Sequence, residues 1–408
     1  MNYITRELER KFLKMSGFFK AVLVTGARQV GKTTMLKHLA EGSERTYVSL
    51  DNSMVRDLAK SDPVLFFQTY KPPILIDEVQ KAPELFEQIK IICDESEEKG
   101  LIWMTGSQQY KMMERVRETL AGRVGLLELY GLSQREKRGV VFDEELDFSM
   151  PGLQARQRKV EKNDITRVFA HIWEGGMPQV LGEEEELRNE YYNSYVDTYL
   201  MRDVAEAGGI VDAVRFRKFL TGCGALVSQQ VNYTTLAESA GISPPTAKAW
   251  LDILQALHIV YLLNPYSNNA LKRLSKTPKL YFCDTGLCAF LSLWPTPGAL
   301  MNGAASGAYY ENYVVMELVK NYAYAKSKAN LTYYRDDNAK EIDVIVEESN
   351  LIHPLEIKKS AMPDKREVKK FALIDKSTLT RGAGGIVCMC EEPLPIDEKD
   401  CFIPGNLI

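Results

Sequence analysis

The sequence is poor in the residues that mark disulfide-rich or zinc-stabilised proteins. Its 408 residues include four histidines and seven cysteines, and no two cysteines have the C-x-x-C spacing common in zinc and redox sites. An odd number of cysteines without paired spacing argues against a disulfide framework or a structural zinc site. We therefore expect reduced thiols that pack as small apolar side chains.

The sequence also lacks a long apolar run and an excess of positive charge. Its longest apolar stretches, such as DILQALHIVYLL, are too short and interrupted to cross a bilayer, and the charged start MNYITRELERKFLK lacks the apolar segment of a signal peptide. The net charge of −4 argues against a uniformly basic nucleic-acid binder but is compatible with a local basic groove. These observations predict a cytoplasmic protein of two or three domains with no membrane partner.

The most informative stretch is AVLVTGARQVGKTTMLKHLA, residues 21–40. A β-branched run precedes G-x-x-x-x-G-K-T, and apolar residues at helical spacing follow, which is the strand–loop–helix context of a phosphate-binding loop. Gly26 and Gly31 allow backbone angles that turn N–H groups toward phosphate oxygens. The residues predicted to bind ATP are Gly26, Ala27, Arg28, Gln29, Val30, Gly31, Lys32, Thr33 and Thr34.

Two further apolar runs end in polar residues that suit nucleotide hydrolysis. PPILIDEVQ ends a predicted strand at Asp77 and Glu78, and LIWMTGSQQY leads from another strand to Ser107. We expect Lys32 to bridge the terminal phosphates and Thr33 with Asp77 to hold Mg²⁺. Glu78 would polarise the attacking water. Ser107 would sense the γ-phosphate, or alternatively cap a helix.

Strands alternate with helices through this region, which predicts a doubly wound parallel α/β sheet with the nucleotide at the carboxyl ends of its strands. The stretches TGARQVGKTT, LIDEVQKAPELF, TGSQQY and LAGRVGLLELYGLS resemble the AAA-type ATPases of bacteria and archaea that carry a C-terminal domain of unknown function, and GGMPQV, YVDTYLMRDV and PKLYFCDTGL agree with this. The resemblance implies an AAA-like P-loop ATPase domain at 1–135, a linker and helical region at 136–210, a winged-helix-like domain at 211–282 and a restriction-endonuclease-like α/β domain at 283–408.

Two arginines are candidates for neutralising transition-state charge. Arg123 lies in LAGRVG, after the strand predicted in LIWMTGSQQY, and Arg202 lies in TYLMRDV. In ATPases of the resembled kind, a neighbouring subunit supplies such an arginine. The resemblance therefore implies that Arg123, and as a second candidate Arg202, contacts nucleotide in its own chain or across a homo-oligomer. The alternative is a surface or ion-paired arginine.

The stretch NYTTLAESAGISPPTAKAWLDILQALHIVYLLNPY predicts a helix-turn-helix. A short helix stops at Gly241, Ser243 can cap the next helix, and Pro244 begins it. Two following strands would form a wing, with Lys272, Arg273, Lys276 and Lys279 nearby. The motif can bind double-stranded DNA through its second helix, or it can serve as a protein–protein spacer.

The C-terminal part carries a charged set on a predicted helix and two predicted strands. Glu311 lies in GAYYENYVVMELVK, Asp343 in EIDVIVE, and Glu356 and Lys358 in LIHPLEIKKS. In restriction-type nucleases, carboxylates hold Mg²⁺ and a lysine orients or deprotonates water. The pattern predicts a metal site of Glu311, Asp343 and Glu356 beside Lys358. An ion-paired network, or a DNA grip without cleavage, is the alternative.

Our interpretation of the whole chain is a Mg²⁺-dependent ATPase that couples nucleotide state to DNA or partner binding by its C-terminal half. ATP and Mg²⁺ are the expected cofactors. Two other functions stay open. One is a nucleotide-gated switch that binds a protein partner and cuts no DNA. The other is a metal-dependent DNA nuclease driven by the ATPase.

Overall fold

The computed structural model describes residues 3–107, 115–116, 118–142, 144–208, 212–266, 277–375 and 377–408. Within these ranges the strands form a five-stranded sheet, a seven-stranded sheet and a two-stranded ribbon. None of the helices in the described part is both long enough and apolar enough to cross a membrane. All seven cysteines are free thiols, and only Cys283 is not fully buried.

The five-stranded sheet lies in the first third of the chain. Its strands are β1 (Ala21–Thr25), β2 (Thr46–Ser49), β3 (Ile74–Asp77), β4 (Ile102–Thr105) and β5 (Val124–Glu128). They lie in the order β2-β3-β4-β1-β5, and every neighbouring pair is parallel. The parallel sheet is as predicted. Because the carboxyl ends of parallel strands meet at one edge, the loops after β1, β3 and β4 come together there.

Helices cover both faces of this sheet. They are α1 (Leu8–Ser16), α2 (Lys32–Ala40), α3 (Ser53–Ser61), α4 (Pro63–Thr69) and α5 (Leu85–Glu95). Successive strand side chains point to opposite faces. Val22 and Val24 therefore pack into the core that contains α1 and α2, while Ala21 and Leu23 pack into the core that contains α3 to α5. Both faces are buried, so the strands read as continuous apolar runs.

The middle of the chain is helical. Its helices are α6 (Gln134–Arg138), α7 (Met150–Gln157), α8 (Ile165–Glu174), α9 (Glu185–Ser194), a π-helical turn (Tyr195–Leu200), α10 (Met201–Gly208), α11 (Ala213–Ala225), α12 (Tyr233–Ala240) and α13 (Pro244–Ala256). Short 3₁₀ turns lie at Val79–Lys81 and Pro178–Val180.

Helices α12 and α13 form the predicted helix-turn-helix. Gly241 ends α12 in the left-handed conformation, with φ of 67°. The Ser243 hydroxyl accepts a hydrogen bond from the Thr246 N–H and so caps α13. The ribbon of β6 (Val260–Leu263) and β7 (Lys279–Phe282) follows and is antiparallel. Most of the predicted second wing strand, together with Lys272, Arg273 and Lys276, lies outside the described residues.

The C-terminal part combines helices with a mixed sheet. The helices are α14 (Thr285–Leu291), α15 (Pro297–Asn302) and α16 (Ser306–Tyr324), with 3₁₀ segments at Lys365–Ile374 and Gly405–Leu407. The strands are β8 (Ala329–Arg335), β9 (Glu341–Glu348), β10 (Leu351–Ile357), β11 (Thr380–Arg381), β12 (Gly384–Cys388), β13 (Leu394–Pro395) and β14 (Asp400–Pro404). Strands β8 and β9 pair antiparallel, and β10 pairs antiparallel with β9.

The parts of the chain are joined by buried polar contacts and by one continuous apolar core. The Asp284 carboxylate accepts hydrogen bonds from the Gly176 N–H at 2.5 Å, the Leu287 N–H at 2.7 Å and the Tyr192 hydroxyl at 2.8 Å. This contact set brings the stretches GGMPQV and PKLYFCDTGL together. One apolar cluster runs from β1 through α8 and α13 to α16 and β14. The domain boundaries at 135, 210 and 282 stay predictions.

Candidate nucleotide-binding site

The phosphate-binding loop joins β1 to α2 and depends on glycine at its first position. Gly26 has φ of +142°, and a Cβ placed there would lie 2.1 Å from the Leu129 carbonyl oxygen. Gly31 has φ of +95° and directly precedes α2. Gln29 also has a positive φ, of 62°. These angles turn the loop back on itself, so that its N–H groups and the start of α2 share one concave region.

Lys32 is buried at the start of α2. Its Nζ donates hydrogen bonds to the carbonyl oxygens of Gly26 at 3.0 Å and Ala27 at 2.6 Å. Burial lowers the pKa of Lys32 to about 8, and the nearby Glu78 carboxylate opposes this shift. A triphosphate bound in the loop would supply negative charge next to this buried ammonium group and so favour its protonated form.

Thr33 and Asp77 meet at the carboxyl edge of the sheet. The Thr33 hydroxyl donates to the Asp77 Oδ1 at 2.5 Å, and the Thr105 hydroxyl donates to the same oxygen at 2.5 Å. The Tyr47 hydroxyl donates to Oδ2 at 3.2 Å. A hydroxyl beside a carboxylate, next to a phosphate loop, matches the oxygen ligands that Mg²⁺ takes in P-loop proteins. Thr34 lies one residue further along α2 and is exposed.

Glu78 and Ser107 come together through a residue that the sequence did not single out. Glu78 has a left-handed backbone, with φ of 59°, and its N–H donates to the Thr105 hydroxyl at 3.1 Å. The Gln80 amide donates to the Glu78 carboxylate and, at 2.9 Å, to the Ser107 hydroxyl. Gln80 therefore links the predicted base to the predicted sensor.

Arg6, far upstream of the motif, braces the loop. Its guanidinium donates to the Val30 carbonyl oxygen at 2.7 Å and to the Tyr130 carbonyl oxygen at 2.7 Å, and its Nε lies 3.1 Å from Glu136 Oε1. No local pattern in the sequence indicates this role, because all three partners are distant along the chain.

The helical region covers the other side of the loop. Arg28 forms two hydrogen bonds to Asp203 of α10, and this pair lines a small cavity together with Gly26, Ser107 and Tyr199. Leu257 and Ile259, at the end of the helix-turn-helix, line the same cavity. The phosphate loop thus contacts both the helical region and the segment that follows α13.

Arg123 lies at the opposite edge of the sheet from the phosphate loop of its own chain, and its role across a homo-oligomer stays a prediction. Arg123 precedes β5, and its carbonyl oxygen accepts from the Ala21 N–H, at the start of β1. This is the amino edge of the sheet, opposite to the phosphate loop. Its guanidinium pairs with Asp94 at 2.6 and 3.0 Å. Arg202 lies nearer to the loop, since its Nε is 3.9 Å from the Asp203 Oδ1.

A buried lysine lies among the C-terminal carboxylates. The Nζ of Lys279 lies 2.7 Å from Glu311 Oε1, 2.7 Å from Glu341 Oε1 and 3.7 Å from Asp343 Oδ1. Burial alone would lower the pKa of Lys279, but the three carboxylates raise it. The Tyr281 hydroxyl also donates to Glu311 at 2.7 Å. The cation in this pocket is therefore an ammonium group.

The Glu356 carboxylate is also paired with lysines. Its Oε1 lies 2.5 Å from the Nζ of Lys358 and 2.6 Å from the Nζ of Lys370. Burial, followed by the charge of Asp343, raises the pKa of Glu356 to about 7.

These contacts contradict an open metal site of Glu311, Asp343 and Glu356. Among the residues that the structure describes, no group of three or more His, Cys, Asp or Glu side chains is arranged to hold a metal ion. The ion-paired alternative fits the contacts better, because Lys279 lies among three carboxylates and two further lysines pair with Glu356.

The exposed face of α13 carries little net charge. Lys248 and Asp252 are both exposed and lie one turn apart, and Gln255 follows them. Ala247, Trp250, Leu251 and Leu254 face the core. Lys279, which the sequence placed in a basic group near the wing, is buried in its ion pairs and is not part of a basic surface.

Sequence models of known protein families match three parts of the chain. Residues 18–137 match the sequence model of an AAA domain, in agreement with the phosphate-binding loop described above. Residues 165–297 match a domain of unknown function, DUF8612, and residues 306–408 match another, DUF4143.

Relatives span nearly the whole chain. An uncharacterized protein of Mycobacterium tuberculosis is 28% identical over 389 residues, which is 95% of this chain and 80% of that protein. An uncharacterized protein of Haemophilus influenzae is 21% identical over 372 residues, 86% of this chain and 84% of that one.

Two solved structures overlap part of the chain. The Walker-type ATPase of Pyrococcus abyssi covers 71% of this chain and 96% of its own, with 13% identity and a TM-score of 0.43. The RuvB Holliday junction branch migration motor of Thermotoga maritima covers 67% and 95%, with 16% identity and a TM-score of 0.32.

Proposed function

We propose that the protein is a Mg²⁺-dependent ATPase whose nucleotide state is transmitted to its helix-turn-helix and C-terminal parts. The observation that carries this is the meeting of Thr33 and Asp77 at 2.5 Å beside the loop that holds Lys32. Phosphoryl transfer depends on positioning and charge stabilisation, and these side chains offer both at one edge of a rigid sheet.

Each side chain has a role that follows from its place. The loop N–H groups and Lys32 bind phosphate oxygens, while Thr33 and Asp77 hold the metal shell. Mg²⁺, when bound, neutralises charge that develops on the phosphate oxygens. Glu78 orients and deprotonates the attacking water, and Gln80 holds its carboxylate near Ser107.

Substitution of Asp77 by asparagine tests the metal role. The variant keeps the shape of the side chain but loses its charge, so we expect phosphate release from MgATP to fall about 10–100-fold. Binding of ATP measured in EDTA should change little. Asp57→Asn, at an exposed position on α3, is the matched control and should hydrolyse ATP like the wild type. Equal Mg²⁺ dependence in Asp77→Asn and the wild type would refute the assignment.

For the binding partner of the C-terminal half, the face of α13 favours protein over DNA. A duplex binder neutralises several phosphates with basic side chains, whereas this face presents Lys248 beside Asp252. The lysine-filled carboxylate pocket likewise favours a structural role over DNA cleavage. We therefore propose a nucleotide-gated switch that binds a protein partner. Cytoplasmic location and a homo-oligomer that brings Arg123 to a neighbouring site stay predictions.

A salt titration separates the two kinds of partner. We expect the affinity for a 30-base-pair duplex, measured by fluorescence anisotropy with ADP or a slowly hydrolysed ATP analogue, to stay in the non-specific range of about 10⁻⁴–10⁻⁶ M. The slope of log K against log salt should be shallow, near one or two phosphates. A slope that corresponds to six or more phosphates, and that changes with the nucleotide, would establish DNA as the partner instead.

A further inference from the structure

The phosphate loop is held by an acidic side chain of the helical region. Arg28, the third residue of the loop, donates from Nε to Asp203 Oδ2 at 2.5 Å and from Nη2 to Asp203 Oδ1 at 2.8 Å. The Asp203 side chain is 7% exposed and the Arg28 side chain 15%. A bidentate arginine–carboxylate pair with so little exposure is among the stronger polar contacts that a protein forms.

Asp203 also stands in the electrostatic field of the phosphate site. Its carboxylate is close enough to Lys32 to favour the charged form of that lysine. A triphosphate in the loop would bring several negative charges to the same two cations, Arg28 and Lys32. Two like-charged groups that share one set of cations in a buried region repel each other strongly.

We propose that Asp203 is an internal competitor of the nucleotide phosphates, and that MgATP binding releases Asp203 and helix α10 from the phosphate loop. This inference rests on the proposed function, since it concerns the regulation of the same site. The carboxylate occupies Arg28 until phosphates replace it, so the loop has two mutually exclusive anionic partners. A ligand can shift an equilibrium only through such a difference in contacts between two states.

The release has a physical route to the helix-turn-helix. Helix α10 packs against α13, the second helix of that motif. The segment before α10 is the π-helical turn Tyr195–Leu200, and its Tyr199 ring lies 6.0 Å from the Arg28 guanidinium carbon. Single π turns inside helices are frequent at functional sites. Movement of Asp203 therefore displaces the helix that supports α13, which couples the nucleotide to the proposed partner surface.

Competition predicts that removal of the Asp203 charge tightens nucleotide binding. We expect Asp203→Asn to bind a slowly hydrolysed ATP analogue with Mg²⁺ about 10-fold more tightly than the wild type, within the usual range of such couplings. Asp197→Asn is the matched control. It removes an acid from the same segment, but Asp197 pairs with Arg217 at 2.8 Å and not with the loop. Its affinity should equal that of the wild type.

A second measurement uses the unaltered protein, so a folding defect in the variant cannot obscure the result. Backbone hydrogen exchange in residues 195–208 of the wild type should become faster when the analogue and Mg²⁺ are added. Equal or weaker affinity of a folded Asp203→Asn overturns the inference. So does unchanged or slower exchange in residues 195–208.

The two proposals fail in different ways. If the wild type binds the analogue and Lys32→Ala does not, the nucleotide site stands. Unchanged affinity in Asp203→Asn then overturns the competition alone. If neither the wild type nor Asp203→Asn binds the analogue at millimolar concentration, the proposed function falls and this inference falls with it.

Discussion

Replacement of Lys32 by alanine is expected to lower the rate of ATP hydrolysis at least about 1000-fold and to weaken MgATP binding. The buried ammonium group contacts the loop carbonyl oxygens of Gly26 and Ala27, so it already lies at the centre of the phosphate site. Phosphate release and calorimetric titration measure the two effects.

The matched control is Lys60→Ala, which removes an exposed lysine from α3 and should leave both quantities unchanged.

A further test of Lys32 uses the wild type. Since burial holds the pKa of Lys32 at about 8, nucleotide binding near pH 8 should be accompanied by proton uptake as the phosphates raise that pKa. Hydrolysis by Lys32→Ala within a few-fold of the wild type would remove the basis for the proposed site.

Replacement of Lys279 by methionine is expected to cost about 3–5 kcal/mol of stability at pH 8. Lys279 is 3% exposed, and its ammonium group lies between Glu311, Glu341 and Asp343. Methionine has a similar length but no charge, so the variant leaves three carboxylates close together without their buried cation. The midpoint of chemical denaturation measures the loss.

The size of this loss should depend on pH. Burial, then the charge of Asp343, raises the pKa of Glu311 from 4.5 to about 7 in the folded protein. The folded state therefore binds more protons than the unfolded state between these values, and this group contributes less stability as the pH rises across that window. The deficit of Lys279→Met relative to the wild type should be smaller at pH 5, where the Glu311 carboxyl group is protonated. Lys340→Met, at an exposed position nearby, should cost little at either pH. An equal deficit at pH 5 and pH 8 would contradict the charge explanation.

The nucleotide site could be predicted from the sequence because its parts are contiguous or follow apolar strands. The glycine loop, Lys32 and Thr33 occupy eight successive residues, and Asp77 comes at the end of an apolar run. Parallel strands then bring their carboxyl ends to one edge without further information. The helix-turn-helix was predictable for the same reason, since Gly241 and Ser243 act within one turn of chain.

The contacts that surround the loop were not predictable. Asp203 is 175 residues from Arg28, and Arg6 reaches carbonyl oxygens whose position depends on the complete fold. The position of Arg123 likewise depends on topology: the residue follows β4 in sequence, but it directly precedes β5 and therefore lies at the amino edge of the sheet.

The cluster of C-terminal carboxylates was also only partly predictable from the sequence. The convergence of Glu311, Asp343 and Glu356 could be predicted from a helix and two paired strands. The group that neutralises them could not, because Lys279 comes from the ribbon that follows the helix-turn-helix. From the sequence, a lysine on that strand is expected to join a basic surface, whereas in the structure its side chain is buried.

The continuous apolar core has a consequence for how this protein can be divided. Leu127 and Leu129 at the end of the parallel sheet share their packing with side chains of α8, α13 and α16. A fragment that stopped near residue 137 would expose this surface to water, and its insolubility would say nothing about catalysis. Replacing the C-terminal half by that of a relative would likewise change the side chains that pack against Leu127 and Leu129. An exchange of halves between species would therefore need matching substitutions on both sides of this shared core.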